Sequence, residues 1–274
     1  MTDSRRPAHE PDLCVVVPAF NEELNLEELH REVSAVLGDT GMSWSMLFVD
    51  DGSRDATPAI LARLRASDPR VAYVRLARNF GLQAALAAGL ARAPGRAVVI
   101  MDADLQDDPS ALREFMARWQ AGADVVYAVR TKRKENVVKR AMFSAFHALL
   151  SLLADIPIPR DAGTFALYDR RVVDHINSLP ERNRYLPGLR AWVGFEQVGI
   201  PVERRARRAG TPGQSLARLI SLALDGVMSF SKAPLRLATT LGFSVTALSA
   251  VALLVVVYWR FVQRSFPSGV GLAT

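Results

Sequence analysis

The first 130 residues alternate short apolar runs with stretches of helical spacing. The apolar runs predict strands at Leu13–Val17, Met46–Val49, Val71–Leu76, Ala97–Met101 and Asp124–Val129. Between them Leu26, Leu29, Val33 and Val36 recur at helical intervals, as do Leu112, Phe115, Met116 and Trp119. Thr57-Pro58 reads as a helix start, with threonine as N-cap and proline in the first helical position. Pro18 has no N–H to donate and is expected to end the ladder of the first strand. Strand, helix and strand in repetition predict an α/β fold, a mostly parallel sheet covered by helices. Ligands of such sheets bind beyond the carboxyl ends of the strands.

Polar clusters follow these strands at Asn21–Glu23, Asp50–Asp55, Asn79–Gly81 and Asp102–Asp108, so a parallel sheet gathers all four at one edge. The most informative is VVIMDADLQDDP, residues 98–109. An apolar run there ends in Asp102 and Asp104, one residue apart, and strand alternation puts both on one side of the chain. Such oxygen donors suit Mg²⁺ or Mn²⁺, held by one or two carboxylates plus substrate phosphates. The alternative is a solvated acidic turn. Glu22 is placed to accept from a sugar hydroxyl, although helix N-termini also favour acids. One carboxylate of Asp50-Asp51-Gly52-Ser53 can accept from a base N–H or a ribose hydroxyl, or the segment is a turn with an N-cap. Neither loop is a GxGxxG or a P-loop, which weighs against nicotinamide chemistry and P-loop phosphotransfer.

Later segments change character. Val137–Ala154 reads as an amphipathic helix with a basic start, suited to a membrane surface or to a core. Leu216–Phe230 reads as a second one, leading into a charge-free run from Leu237 to Trp259. As a helix that run is about 34 Å long, enough for a hydrocarbon core of roughly 30 Å. Lys232 and Arg236 flank one end, and Tyr258, Trp259, Arg260 and Arg264 the other, as interface anchors do. The expected division is a tail over 1–12, a catalytic domain over 13–212, a juxtamembrane segment over 213–236, a transmembrane helix over 237–262 and a tail over 263–274. The polar N-terminus lacks the apolar core of a signal peptide, which assigns the first domain to the cytosol.

Composition adds limits. With 274 residues the chain can hold one large domain or two small ones. Cys14 is the single cysteine, so no intramolecular disulfide forms, as fits a reducing compartment. His9, His30, His147 and His175 show no zinc-ligand spacing. The net charge is +6, with one basic cluster at Arg130, Lys132, Arg133, Lys134, Lys139 and Arg140 and another at Arg204, Arg205, Arg207 and Arg208. Poor aromatic interleaving argues against a nucleic-acid partner and favours lipid headgroups or phosphates.

PAFNEE, VDDGSRDAT, LARNFGLQAAL and MDADLQDDP, in that order and spacing, resemble the motifs of family 2 glycosyltransferases with the GT-A fold. RDAGTFALYDRRVV (160–173), ERNRYLPGLRAWVGF (181–195), VERRARRAG (202–210) and LALDGVMSFSKAPLRL (222–237) resemble one branch of that family. It includes dolichyl-phosphate mannosyltransferase and bacterial undecaprenyl-phosphate glycosyltransferases. The resemblance implies a Rossmann-like GT-A domain with helices on both faces of its sheet. It also implies inverting, metal-dependent transfer of a hexose from a GDP- or UDP-linked sugar to a polyprenyl phosphate. The enzyme would sit at a bacterial inner membrane, its catalytic domain cytoplasmic. Pro18, Glu22 and Asp51 would contact the nucleoside; Asp102, Ala103 and Asp104 would hold the diphosphate side of the donor. Asp102, Asp104 and Gln106 would hold Mg²⁺ or Mn²⁺, with Asp104 catalytic. Asp161 matches an acid near the acceptor, Arg130 a loop that meets lipid phosphate, and Arg204 and Arg207 would neutralise phosphate.

The chain departs from the pattern at Thr164, Ala166 and Pro187, and at Gly213, where a lysine that contacts phosphate is expected. Arg190, Arg205 and Arg208 are candidates to compensate. Two other readings stay open: a family 2 transferase with a different acceptor, and a non-catalytic membrane scaffold that keeps the fold. Many relatives have two spans, and this chain stops at Gly269–Thr274, where a second would begin; it is a one-span form, a truncation or a fragment.

Overall fold

In the computed structural model, which describes residues 10–130, 162–180, 184, 186–203, 205 and 233–261, the chain begins β1 (Leu13–Ala19), α1 (Leu26–Gly38), β2 (Trp44–Asp50), α2 (Thr57–Ser67), β3 (Val71–Arg75) and α3 (Leu82–Leu90). It continues with β4 (Ala97–Ile100), α4 (Ala111–Gln120), β5 (Val125–Arg130), β6 (Ala162–Asp169), α5 (Arg170–Ser178), α6 (Leu186–Trp192), β7 (Gln197–Val202) and α7 (Ala233–Phe261). The strands form one sheet in the order β3-β2-β1-β4-β6-β5-β7. β6 runs antiparallel to both its neighbours, and every other pairing is parallel.

Alternation along β1 explains the two-sided core. Leu13, Val15 and Val17 face α1, α2 and α4, joined by Leu26, Leu29, Leu61, Leu112 and Phe115. Cys14 and Val16 face the opposite side, covered by α3, α5 and α6 through Leu86, Val172, Val173 and Leu189. A strand buried on both faces reads as a continuous apolar run, as β1 does. The helical spacing of α1 and α4 buries Leu26, Leu29 and Val33, and Leu112, Phe115 and Met116, as predicted. Burial pushes the Cys14 thiol up to about 11, so it behaves as an apolar core group.

Three local expectations are corrected. Pro18 does not end β1: the ladder with β2 continues through Pro18↔Val49 to Ala19↔Asp50. Val16 accepts from the Met101 amide of the chain leaving β4, and Pro18, two residues on, faces the same side after the β4 pairing has ended. Its missing N–H therefore costs no ladder bond. Thr57 does not cap α2. It is the first helical residue, Ala56 holds the cap position, and the Thr57 hydroxyl accepts from the Glu22 amide at 2.9 Å. β4 stops at Ile100, and the backbone turns at Ala103 and Asp104, so a turn rather than strand alternation orients the acidic pair. β6 and β7, absent from the predicted strands, complete the sheet, β6 between β4 and β5 and β7 at the edge beyond β5. The amphipathic segments 137–154 and 216–230, and the sites expected at Asp161, Arg204 and Arg207, lie outside the described residues.

Candidate functional site

The strand order reverses direction between β1 and β4, the switch point at which open α/β sheets bind ligands. β1, β2 and β4 end together there. The loop after β1 is held by the loop after β2. Asn21, in the left-handed region at φ 56°, receives the Arg54 amide on Oδ1 and gives its own N–H to the Ser53 hydroxyl. Glu22 is half-buried and accepts from the Asn25 side chain at 2.6 Å. Glu23 and Asp55 exchange bonds across the two loops through the amides of Ala56 and Glu23. Gly52 has φ +73°, and a Cβ there would come within 2.5 Å of the Arg78 carbonyl carbon, so only glycine lets these loops approach.

The acids after β2 have separate tasks. Asp50 is fully buried, accepts from the Ser53 amide at 2.8 Å and pairs with Arg75 at 3.2 Å. Asp51 is 3 % exposed and accepts from the Phe80 and Gly81 amides, 2.8 Å each, one on either oxygen. Asp51, expected to contact a nucleoside, thus fastens the loop between β3 and α3 to the site. Phe20 and Phe80 stand exposed at the same rim.

Past β4, Asp104 is 7 % exposed and accepts from the Gln106 amide at 3.2 Å. Asp102 is half-buried, and the Thr164 hydroxyl reaches its oxygens at 3.4 and 3.5 Å. Pro18 and Ala103, both expected at the donor, are buried. Leu105 takes φ 57° and packs into the core beside α4. The left-handed backbone costs roughly 1–2 kcal/mol. Burying a leucine side chain returns about 1.5–3 kcal/mol, so packing holds the turn.

Arg205 is fastened to this turn. Its amide donates to the Gln106 carbonyl at 2.9 Å, while its guanidinium reaches Glu32 at 2.7 Å and Asp108 at 2.9 Å. Burial raises the Asp108 carboxyl, but the Ser110 bonds and the Arg205 charge outweigh it and hold the group below its ordinary value. Arg205 is therefore committed to acids and is not spare for phosphate. Arg130 is the last residue of β5, paired with Val202 of β7. Pro187 and Ala166 are buried around α6 and β6. Sequence spacing gave no sign of the Thr164, Thr57 and Arg205 contacts, which join residues 35 or more apart.

Among the described residues no three His, Cys, Asp or Glu side chains converge as a metal cage. Asp102 and Asp104 instead offer oxygen donors from one short turn at the rim. That set fits a hard divalent cation completed by waters and substrate phosphates, and it does not fit zinc or a closed structural site.

Residues 14–176 match the family described as Glycosyl transferase family 2. The "Uncharacterized glycosyltransferase YkcC" of Bacillus subtilis is 40% identical over 256 residues, 93% of this chain and 79% of that protein. The "Bactoprenol glucosyl transferase" of Shigella phage SfV is 37% identical over 238 residues, 86% of this chain and 78% of that one. Among solved structures, the mannosyltransferase PcManGT of Pyrobaculum calidifontis, in complex with GDP-Man and Mn²⁺, aligns with a TM-score of 0.52 at 18% identity, over 92% of this chain and 82% of its own. Glucosyl-3-phosphoglycerate synthase of Mycobacterium tuberculosis, with Mn²⁺ and UDP-glucose, gives 0.50 at 21% identity, over 78% and 76%. The switch-point site, the mixed sheet with helices on both faces and these relatives agree: the chain is a GT-A-fold glycosyltransferase and belongs to family 2.

Proposed function

We propose that this glycosyltransferase moves a hexose from a nucleoside-diphosphate sugar to a polyprenyl phosphate and inverts the anomeric centre. The observation that carries the reading is the Asp102–Asp104 turn, set at the switch point beside the Glu22 and Asp51 loops. The bactoprenol glucosyl transferases among its relatives support the acceptor class. Asp102 and Asp104, with Gln106 beside them, would hold a Mg²⁺ or Mn²⁺ ion, as the nucleotide-sugar complexes of two fold relatives suggest. When bound, such an ion supplies positive charge for the departing nucleoside diphosphate.

The chain's own residues perform the rest. A phosphate oxygen of the acceptor is already ionised near neutral pH, so its attack needs little help from a base. Asp161, which directly precedes β6, would then orient the acceptor side more than it removes a proton. The larger task is to hold two anions together. Arg204 and Arg207 neighbour Arg205, the residue fastened to the acidic turn, and Arg130 ends β5. These arginines would neutralise phosphate oxygens while Glu22 and the rim of Pro18 and Asp51 orient the nucleoside. The acceptor oxygen bonds to the anomeric carbon from the face opposite the leaving group, the carbon–oxygen bond to the diphosphate breaks, and the electron pair leaves with the nucleoside diphosphate. A membrane-borne acceptor and the apolar C-terminal helix support a place at a bacterial inner membrane, with the catalytic domain on its cytoplasmic side.

The test is a panel of GDP- and UDP-linked hexoses with purified protein, a short polyprenyl phosphate and Mg²⁺ or Mn²⁺, product read by mass. A lipid-linked hexose is expected from one donor. Asp104→Ala should lower kcat/KM by about a hundredfold or more, the scale of losing charge stabilisation at a developing anion. Undiminished turnover in that variant overturns the role of the acidic turn, and no lipid product from any donor overturns the acceptor.

A further inference from the structure

Arg190 lies in α6 with none of its surface exposed. A buried guanidinium costs several kcal/mol unless opposite charge and hydrogen bonds compensate. Here the compensation is thin. Nη1 donates to the Gly163 carbonyl at a long 3.4 Å, the guanidinium carbon sits 4.3 Å over the Tyr127 ring, and the guanidinium lies against the buried Tyr168 hydroxyl, a neutral neighbour whose titration burial pushes up and the Arg190 charge partly draws back. Nε and Nη2 have no hydrogen-bond partner, and no carboxylate is paired with the group among the described residues. Ala166, the strand partner of Tyr127, is buried on the same side of the sheet.

Its place in the fold gives the orphan charge a direction. Gly163 precedes Thr164, and the Thr164 hydroxyl reaches Asp102. The guanidinium is therefore one residue behind the acidic rim. Two unmet N–H groups on a rigid planar fork match two oxygens of one phosphate, a geometry lysine lacks. We propose that Arg190 is a built-in receptor for a phosphate oxyanion of the substrate entering at the β4–β6 edge. Engagement turns the fork from the Gly163 carbonyl toward the rim and exchanges a long neutral bond for short charge-assisted ones. The transferase reading supplies two sources of that phosphate, the donor diphosphate and the acceptor monophosphate, and the proposal rests on it only for that choice.

A merely structural role makes the opposite stability prediction. If Arg190 braced α6, Arg190→Met would lower Tm and leave phosphate binding intact. As an unsatisfied receptor, Arg190→Met relieves a stranded charge, so Tm without ligand holds or rises while phosphate binding falls. The experiment uses the full chain in detergent, as wild type, Arg190→Met and Arg190→Lys. Tm and calorimetric affinity are measured with inorganic pyrophosphate, GDP, UDP and a short polyprenyl monophosphate. We expect Arg190→Met to lose at least tenfold in affinity for pyrophosphate and for one source, with the other near wild type, and Arg190→Lys to regain part. Met binding all probes within twofold of wild type overturns the proposal, as does a wild type that responds to none of them. If Arg190→Met does not fold, Arg190→Lys decides: wild-type affinity overturns, a reduced one supports. Wild type that binds pyrophosphate through Arg190 yet transfers no sugar refutes the transferase reading and leaves this receptor standing.

Discussion

Both oxygens of Asp51 are occupied by backbone amides, so at the scale of single residues its first effect is on loop order. Asp51→Ala removes the acceptor of the Phe80 and Gly81 amides, at about 1–3 kcal/mol for bonds to a buried carboxylate. Urea denaturation without nucleotide should reveal that loss, and the KM for donor should rise with it. Unchanged stability would reserve the carboxylate for ligand alone. The sequence identified Asp51 as a site acid because it follows an apolar strand. Its partners lie 29 and 30 residues away, and no local spacing encodes which loop folds against it. Thr57 teaches the same lesson: a residue with a good cap side chain gave its hydroxyl to the Glu22 amide once α1 and α2 packed on one face. The sequence offered Arg190 as one of three arginines to replace a missing phosphate contact; that it is buried without a carboxylate partner among the described residues needs the sheet around it.

Elements were legible where their period was uniform. β1 and β4 are apolar throughout, β2 is apolar from Met46 to Val49, and α1 and α4 keep an apolar stripe. β6 and β7 break the rule with Gly163, Gly199 and Pro201. Pro201 is tolerated because β7 is an edge strand. β6 is tied to its neighbours through Asp169. That residue caps α5 through the Arg171 amide at 3.0 Å and accepts from the Trp119 indole of α4 at 2.9 Å. Burial raises its carboxyl, but the Trp119 and Arg171 bonds outweigh it and hold the group below its ordinary value. The folded pKa is thus below the unfolded one of about 3.9, so the stabilisation is complete above the unfolded value and fades as pH falls through the folded one. Asp169→Asn keeps an acceptor at the cap but removes the charge from the Trp119 and Arg171 bonds, so it should cost about 1 kcal/mol at neutral pH and flatten the acid limb of a stability-versus-pH curve. Arg205 joins elements differently. Its ion pairs are partly exposed, worth at most about 1 kcal/mol each, so Arg205→Ala should scarcely move Tm. Because its amide and side chain fasten the turn after β4, the Mn²⁺ concentration for half-maximal transfer should rise severalfold. An unaltered Mn²⁺ titration would leave Arg205 a surface charge.

For the whole molecule the open question is what covers α7. Its Ala238–Phe261 stretch is 24 residues long and none of it is buried against the described residues. At 1.5 Å per residue it measures about 36 Å, longer than a hydrocarbon core of roughly 30 Å. Leu241, Phe243, Leu248, Leu253, Leu254 and Phe261 are all exposed, a surface that in water would drive association. Three of its hydroxyls are satisfied within the helix: those of Thr240, Ser244 and Thr246 donate back to the carbonyls of Arg236, Thr240 and Gly242 at 2.8–2.9 Å. Such back-bonding leaves little unmet polarity to oppose lipid. Length and charge decide this element without tertiary context, so it was legible from sequence alone, unlike the loop pairings at the rim. Removing residues 237–274 should therefore move the enzyme from the membrane pellet to the supernatant after carbonate extraction. Turnover of a water-soluble short-chain acceptor should persist, while transfer to long-chain polyprenyl phosphate in vesicles drops, since the domain then meets its acceptor only by collision. Continued tight binding of the truncated protein would shift the anchor to the amphipathic segments 137–154 and 216–230 and leave α7 a helix awaiting a protein partner.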